Sequence, residues 1–258
     1  MTGGERVPPA APRVPQVGTA PAPLLKVCGA TTEAEVRAAR AGGADLLGLW
    51  HGVPGGRSDL TAERLTALAA ATREGDGPVP VLVTFAHDAE AIAETALAAG
   101  VRWLQLHAFQ PPSTVAALRA ELPDAMIVKA VHLQDGRCLE RPLLSAYAHT
   151  GTDLFLVDTT TADGRVGSTG VSAPPEAVRA LLPALERPFL LAGGVRADAR
   201  GRYAEVTGHP GYRGVDVDSA ARGPDGLLDR DAVARLVHAW TAPAPLPGAV
   251  PPPEGTTP

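Results

Sequence analysis

Lysine occurs only at Lys26 and Lys129 in this 258-residue chain, and cysteine only at Cys28 and Cys138. Two cysteines cannot build a disulfide framework, so a reducing cytoplasm is the expected setting. Basic charge is scarce as well. The formal net charge is −5 and the sequence pI about 5.8, which leaves no positive field for nucleic acid or an anionic membrane surface. No apolar run approaches the roughly 18 residues that span a bilayer. The first residues are rich in Pro and Gly and lack a basic region followed by an apolar core, so export through a standard signal is not expected. Neither nucleic acid nor membrane is an expected partner.

What is present is an ordinary globular composition, 45% hydrophobic and 20% charged, enough to bury a substantial core. Residues 1–22 and 242–258 are crowded with Pro, Gly and Ala without an apolar period, and read as disordered tails. Between them, over 23–241, short apolar runs alternate with helix-length stretches eight times. The runs are Leu24 to Cys28, Asp45 to Trp50, Val79 to Phe85, Trp103 to His107, Met126 to His132, Leu154 to Asp158, Phe189 to Ala192 and Gly214 to Val217.

The stretches Thr32 to Ala41, Ala62 to Thr72, Ala89 to Ala99, Thr114 to Glu121 and Ala232 to Trp240 have the composition of helices. Thr31-Thr32, Thr61, Asp88 and Ser113 read as N-caps, and Gly42 and Gly100 as helix ends. Pro142 and Gly201 leave the fifth and seventh helices poorly marked. The predicted architecture is α/β, a single parallel (β/α)8 TIM barrel. Alternation alone would also fit an open doubly wound sheet.

In such barrels chemistry sits at the C-terminal ends of the strands. The residues closing the apolar runs are Cys28, Trp50-His51, His87, Gln105 to His107, His132, Asp158, Gly193-Gly194 and Asp218-Ser219. The loop from Thr159 to Ala173 carries Gly164, Gly167 and Gly170 and reads as a lid. Taken alone, Cys28 reads more readily as a small buried hydrophobe and Asp158 as a helix or turn cap. His51, His107 and His132 invite a metal-site reading, which is set aside because no second carboxylate closes a neighbouring run in the usual ligand pattern.

The run Lys26-Val27-Cys28-Gly29-Ala30-Thr31 resembles the opening signature of the phosphoribosylanthranilate isomerase family, and Gln105-Leu106-His107 its fourth-strand ending. Lys129-Ala130, Leu156-Val157-Asp158-Thr159, Gly167-Ser168-Thr169-Gly170, Arg187 to Gly194 and Gly214-Val215-Asp216-Val217 are similar to later family segments, in the same order. The likeness spans roughly residues 24–240. Lys129, which alone would invite a Schiff-base aldolase reading, also has a counterpart there and is read as structural.

The resemblance implies an Amadori rearrangement of N-(5′-phosphoribosyl)anthranilate or a close analogue, run by general acid–base catalysis without metal or organic cofactor. It gives Asp158 the role of acid that opens the sugar ring, and Cys28 the role of base at C2′. An acid working near neutral pH needs a raised pKa, and a thiol base needs its thiolate favoured. Arg57 matches an arginine that pairs with the anthranilate carboxylate, although a solvated loop arginine is the plain reading. His107, Thr169, Gly170, Gly193, Gly194, Asp218 and Ser219 are the remaining expected substrate-binding residues. The partner is a phosphorylated small molecule, and the chain is expected as monomer or homodimer.

Two segments depart from the family pattern. Asp218-Ser219-Ala220 stands where serine-serine-glycine is usual, placing a carboxylate beside the expected phosphate and an alanine where positive φ is harder to reach. Val171-Ser172-Ala173-Pro174 replaces the usual continuation of the lid. A relative acting on a different aminosugar or aromatic amine adduct, and a silent ligand-binding barrel, are therefore alternatives.

Overall fold

Runs of four to six β-branched and leucine residues, bounded by turns, leave a strand apolar on both faces, which is what a parallel sheet covered by helices requires. In the computed structural model, which describes residues 22–161 and 172–241, they form β1 (Leu24–Cys28), β2 (Leu46–Trp50), β3 (Val79–Thr84), β4 (Trp103–Leu106), β5 (Met126–Gln134), β7 (Leu154–Thr159), β8 (Phe189–Leu191) and β9 (Tyr212–Val217). Each pairs in parallel with the next, β4 pairs with β5, and β9 returns to β1 through Leu24↔Gly214 and Val27↔Val217. The sheet is a closed barrel of eight parallel strands, as the alternation predicts. Apart from Ala22, both expected tails lie outside the described residues, as do the lid residues Thr169 and Gly170.

The intervening helices are α1 (Glu33–Gly42), α2 (Ala62–Thr72), α3 (Ala89–Ala99), α4 (Pro112–Glu121), α5 (Leu144–Thr150), α6 (Pro175–Leu181), α7 (Ala204–Thr207) and α8 (Arg230–Thr241). Thr32, Thr61 and Asp88 cap α1, α2 and α3 as expected, each accepting from a backbone N–H in the first turn. Ser113 does not cap: α4 begins at Pro112, whose missing N–H costs nothing at a helix start. Gly42 is the last residue of α1, and the left-handed cap is Gly43, at φ 85°. The poorly marked fifth and seventh helices open with 3-10 turns, Arg141–Leu143 and Ala197–Tyr203.

Strand β5 runs two residues further than expected because Leu133 and Gln134 fold back onto β6 (Arg137–Cys138) in an antiparallel hairpin. Cys138 is thus a half-buried strand residue packed on the core. Strand β9 starts at Tyr212, and a Cβ on Gly214 would collide with the backbone of Leu24, so glycine permits the closure.

Alternation sorts the side chains. Leu25, Val27, Leu47, Leu49, Leu104, Leu106, Phe155 and Val157 face the helices in the main core. Leu46, Val81, Val128 and Leu154 belong to smaller apolar clusters on the opposite, lumen face. That face also carries Lys26, Gln105 and Asp216, each at most 8% exposed. A buried ion pair returns little net stability compared with apolar side chains of similar volume. A charged layer in the lumen therefore calls for a chemical explanation.

Candidate active site

Cys28 closes β1 with its side chain in the lumen. Its Sγ lies 3.1 Å from Lys26 Nζ and 3.1 Å from Trp50 Nε1, so two N–H donors converge on one sulfur. Lys26 also donates to Asp216 Oδ2 at 2.8 Å, linking β1 to β9. Gly48 on β2 makes room for this group: a Cβ there would overlap Cys28 Sγ and stand 3.1 Å from Lys26 Nζ. Burial opposes the charge on Lys26, but Asp216 and Cys28 outweigh it and its pKa rises. Burial pushes the Cys28 thiol up to about 12; Asp216 adds to the rise, while Lys26 and the Trp50 N–H pull against it. The resting group is a protonated thiol beside an ammonium–carboxylate pair.

Across the lumen, His107 follows β4 and Asp158 lies near the end of β7. His107 Nε2 is 3.3 Å from Asp158 Oδ2, close enough for strong attraction although the N–H is not aligned as a hydrogen bond. Gln105 Nε2 lies 2.7 Å from His107 Nδ1, so as placed that nitrogen accepts and the ring proton sits on Nε2, toward Asp158. Phe85 stacks on the His107 ring with centroids 5.6 Å apart. The other Asp158 oxygen accepts from Thr159 N–H at 2.7 Å.

Burial raises Asp158, but His107, His132 and this amide outweigh it and hold the carboxyl below its ordinary range. Burial lowers His107, with Asp158 pulling it back only in part. The expected protonation states are thus reversed: the carboxyl is ionised and the thiol is not. Charge and hydrogen-bond partners, invisible in sequence, decide this.

His132, on the lumen face of β5, pairs in register with Asp158. Its ring Nδ1 lies 2.6 Å from Glu140 Oε1, and its backbone N–H donates to Glu140 Oε2 at 2.8 Å. Lys129 points the other way, donating to the carbonyls of Ala108 and Ala130 beneath Tyr147, which fits its structural reading. Burial lowers its pKa to about 8. His51 is engaged with the Leu60 carbonyl, and among the described residues no three of His, Cys, Asp and Glu are placed to hold a metal ion.

At the expected phosphate end, Gly193 and Gly194 follow β8 with φ of 79° and 59°, a left-handed pair that glycine alone adopts freely. Ser172 sits against Gly194, where a Cβ would meet its Oγ at 2.7 Å. Asp218 neither stands bare beside this loop nor caps the 3-10 turn Ser219–Ala221. Its Oδ2 lies 2.6 Å from Arg57 Nη2 and its Oδ1 2.7 Å from Arg222 Nε. Arg57, the expected carboxylate anchor, is therefore engaged with a carboxylate of this chain. Arg222 goes on to Glu35 at 3.1 Å and the Gly29 carbonyl at 2.8 Å, tying the loop after Cys28 to the loop after β9. Ala220 needs no positive φ, because the segment turns as a 3-10 helix. Ser219 is exposed.

The lumen thus gathers Cys28, His107 and Asp158, and the rim gathers Arg57, Gly193, Gly194, Asp218 and Ser219. Sequence reading missed Lys26 and Asp216 as partners of Cys28, and Glu140 and Arg222 altogether. For the first two a signal existed: a charged residue inside an apolar run is buried and needs a partner. Glu140 and Arg222 lie in polar loops, where nothing marks them.

The model of the family described as N-(5′-phosphoribosyl)anthranilate (PRA) isomerase matches residues 25–239. The isomerase of that name from Afipia carboxidovorans is 32% identical over 88% of this chain and 95% of the relative. N-(5′-phosphoribosyl)anthranilate isomerase 2 from Methanosarcina mazei is 30% identical over 83% of this chain and 92% of its own. Among solved structures, the Thermus thermophilus phosphoribosyl anthranilate isomerase superposes with a TM-score of 0.67 at 24% identity, covering 84% of this chain and 97% of its own. Another, in complex with reduced 1-(o-carboxyphenylamino)-1-deoxyribulose 5-phosphate, has a TM-score of 0.63 at 19% identity and covers 84% and 97%. With a family match across the whole barrel and curated relatives of nearly equal length, the chain belongs to the N-(5′-phosphoribosyl)anthranilate isomerase family.

Proposed function

We propose that Cys28 and Asp158 run the isomerisation of N-(5′-phosphoribosyl)anthranilate as base and acid. Asp158 gives a proton to the ring oxygen as the C1′–O bond breaks, leaving a protonated Schiff base between C1′ and the anthranilate nitrogen. Cys28, as thiolate, takes the proton from C2′, and that electron pair forms the C1′–C2′ double bond while neutralising the nitrogen. The enolamine then loses its C2′ hydroxyl proton and gains one at C1′, giving the 1-deoxyribulose product with no net oxidation. These steps use groups of this chain alone.

The observation that carries this reading is the convergence of Lys26 and Trp50 on Cys28 Sγ, two donors that suit a thiolate better than a thiol. Cys28 and Asp158 together hold one proton, the number that the reaction needs, but at rest it sits on sulfur, so bound substrate must favour the form that carries it on the carboxylate. His107 orients Asp158; Arg57, Ser219 and the Gly193–Gly194 turn take the anionic groups of the substrate, and Thr169 and Gly170 are further substrate-binding residues. Two free cysteines suit a cytoplasmic enzyme, acting as monomer or homodimer.

Assay of the purified chain with N-(5′-phosphoribosyl)anthranilate tests the reading. Turnover is expected, with Cys28→Ser and Asp158→Asn each losing at least about a hundredfold in kcat, the usual weight of a general acid or base. Their melting temperatures should stay near wild type. Activity of Cys28→Ser within a few fold of wild type would remove Cys28 as the base.

A further inference from the structure

One buried group in the site has no part in the chemistry above. His132 is fully buried on the lumen face of β5, directly opposite Asp158 in the strand register. Its ring stands edge-on to His107 with centroids 5.7 Å apart, and Phe109, nearly half exposed, lies against it at 4.9 Å. Glu140 grips it twice, through backbone N–H and Nδ1. Burial opposes the carboxylate of Glu140, but the His132 bonds outweigh it and hold its pKa below the usual range. An ionised Glu140 can only accept, so Nδ1 carries its proton, and Nε2 is the nitrogen left for an outside group.

No described residue bonds Nε2. Orphaned buried polar atoms are rare and call for an explanation. Here a second carboxylate fixes the tautomer of a ring beside the candidate acid, and the fixed nitrogen is left unoccupied. A histidine oriented through one nitrogen by a carboxylate, with the other left open, is prepared for an external partner.

We propose that His132 is a substrate-binding residue, its Nε2 hydrogen-bonded to a hydroxyl of the substrate's sugar, with Glu140 as the positioning residue that fixes the ring. This rests on the isomerase reading, since a polyhydroxylated open-chain sugar beside Asp158 supplies the hydroxyl. The bond would anchor the opened chain next to the acid and favour sugars that keep that hydroxyl.

The test uses the full chain with its histidines labelled with nitrogen-15, and reduced 1-(o-carboxyphenylamino)-1-deoxyribulose 5-phosphate as the probe. In the free protein the His132 nitrogens should show the Nδ1–H tautomer, and binding should shift the Nε2 resonance. His132→Phe, which keeps ring shape and drops the nitrogen, should weaken probe affinity roughly tenfold, the weight of one hydrogen bond. Glu140→Gln should mix the tautomers and lose part of that affinity, a change in ring state that mere packing does not produce. If wild type turns over substrate and binds the probe while Nε2 does not move, the proposal fails and the isomerase reading stands. If wild type neither binds the probe nor turns over substrate, both fail. Should His132→Phe not fold, Glu140→Gln and the wild-type spectra still decide.

Discussion

Lys26 Nζ touches both Cys28 Sγ and Asp216 Oδ2, at 3.1 and 2.8 Å, so one buried ammonium joins the candidate base to a carboxylate on the far side of the β1–β9 seam. The charge matters because burial drives the thiol the wrong way for a base, and Lys26 is the largest opposing influence.

Lys26→Met should therefore slow the reaction with little effect on KM. Loss of the cation pushes the Cys28 pKa higher, and each unit makes the thiolate about tenfold scarcer. A fall in kcat of at least about tenfold is expected, with KM within a few fold. The substitution also leaves Asp216 buried without its partner, at a cost of about 3–5 kcal/mol. Lys26→Met/Asp216→Asn should recover much of that stability and part of the rate, because the carboxylate that raises the Cys28 pKa goes together with the ammonium that lowers it. A double variant as slow as Lys26→Met would show that Asp216 has no hold on the sulfur.

The pH dependence of kcat/KM follows from the pair's shared proton. The productive form carries one proton on Cys28 and Asp158 together. As pH falls through the depressed Asp158 pKa the pair gains a second proton, and as pH rises through the thiol pKa, near 12, it loses the one it has. Between those limits the singly protonated population is constant. The profile should be flat from about pH 5 to 9 once ionisation of the substrate phosphate, pKa near 6, is allowed for. A rate that climbs tenfold per unit between pH 6 and 8 would mean that thiolate formation alone limits the reaction.

How much of this was legible from sequence divides along a physical line. Barrel strands and the longer helices were, because their burial writes a period into the chain: α2 and α3 fall where their alanine-rich stretches place them. Lumen residues such as Cys28, Asp158 and His107 were legible as polar groups closing apolar runs. Pairings were not, since Lys26 and Asp216 are 190 positions apart and meet only because β9 closes on β1. The direction of the Asp158 shift was hidden for the same reason: it depends on His107 and His132, brought in by two other strands.

Gly48→Ala probes how little slack this arrangement has. The added methyl would invade the space of Cys28 Sγ and crowd Lys26 Nζ. Moving the sulfur by even about 1 Å is expected to cost on the order of a hundredfold in rate. The overpacked lumen should lose about 1–3 kcal/mol of stability. Activity near wild type would show that the sulfur need not sit where it is found.

The bridge from Arg57 to Arg222 through Asp218 leads to a different outcome from an isolated carboxylate. An unpaired Asp218 would simply repel a phosphate. With an arginine on each oxygen, at 2.6 and 2.7 Å, it instead occupies cationic capacity that an incoming anion would use. Asp218→Ser should release Arg57, already half exposed, toward the anthranilate carboxylate or the phosphate. Arg222 should stay in place, because Glu35 and the Gly29 carbonyl still hold it. Phosphate and the reduced product analogue should then bind more tightly, by on the order of 1–2 kcal/mol at the screening of a half-exposed site. The gain should shrink as salt is raised, and the loss of a paired Asp218 should lower the melting temperature slightly. Calorimetric titration of both ligands into wild type and variant at two salt concentrations decides it. Unchanged affinity would show that Arg57 reaches the substrate anion with Asp218 still attached, and weaker binding that Asp218 orients Arg57 for that contact.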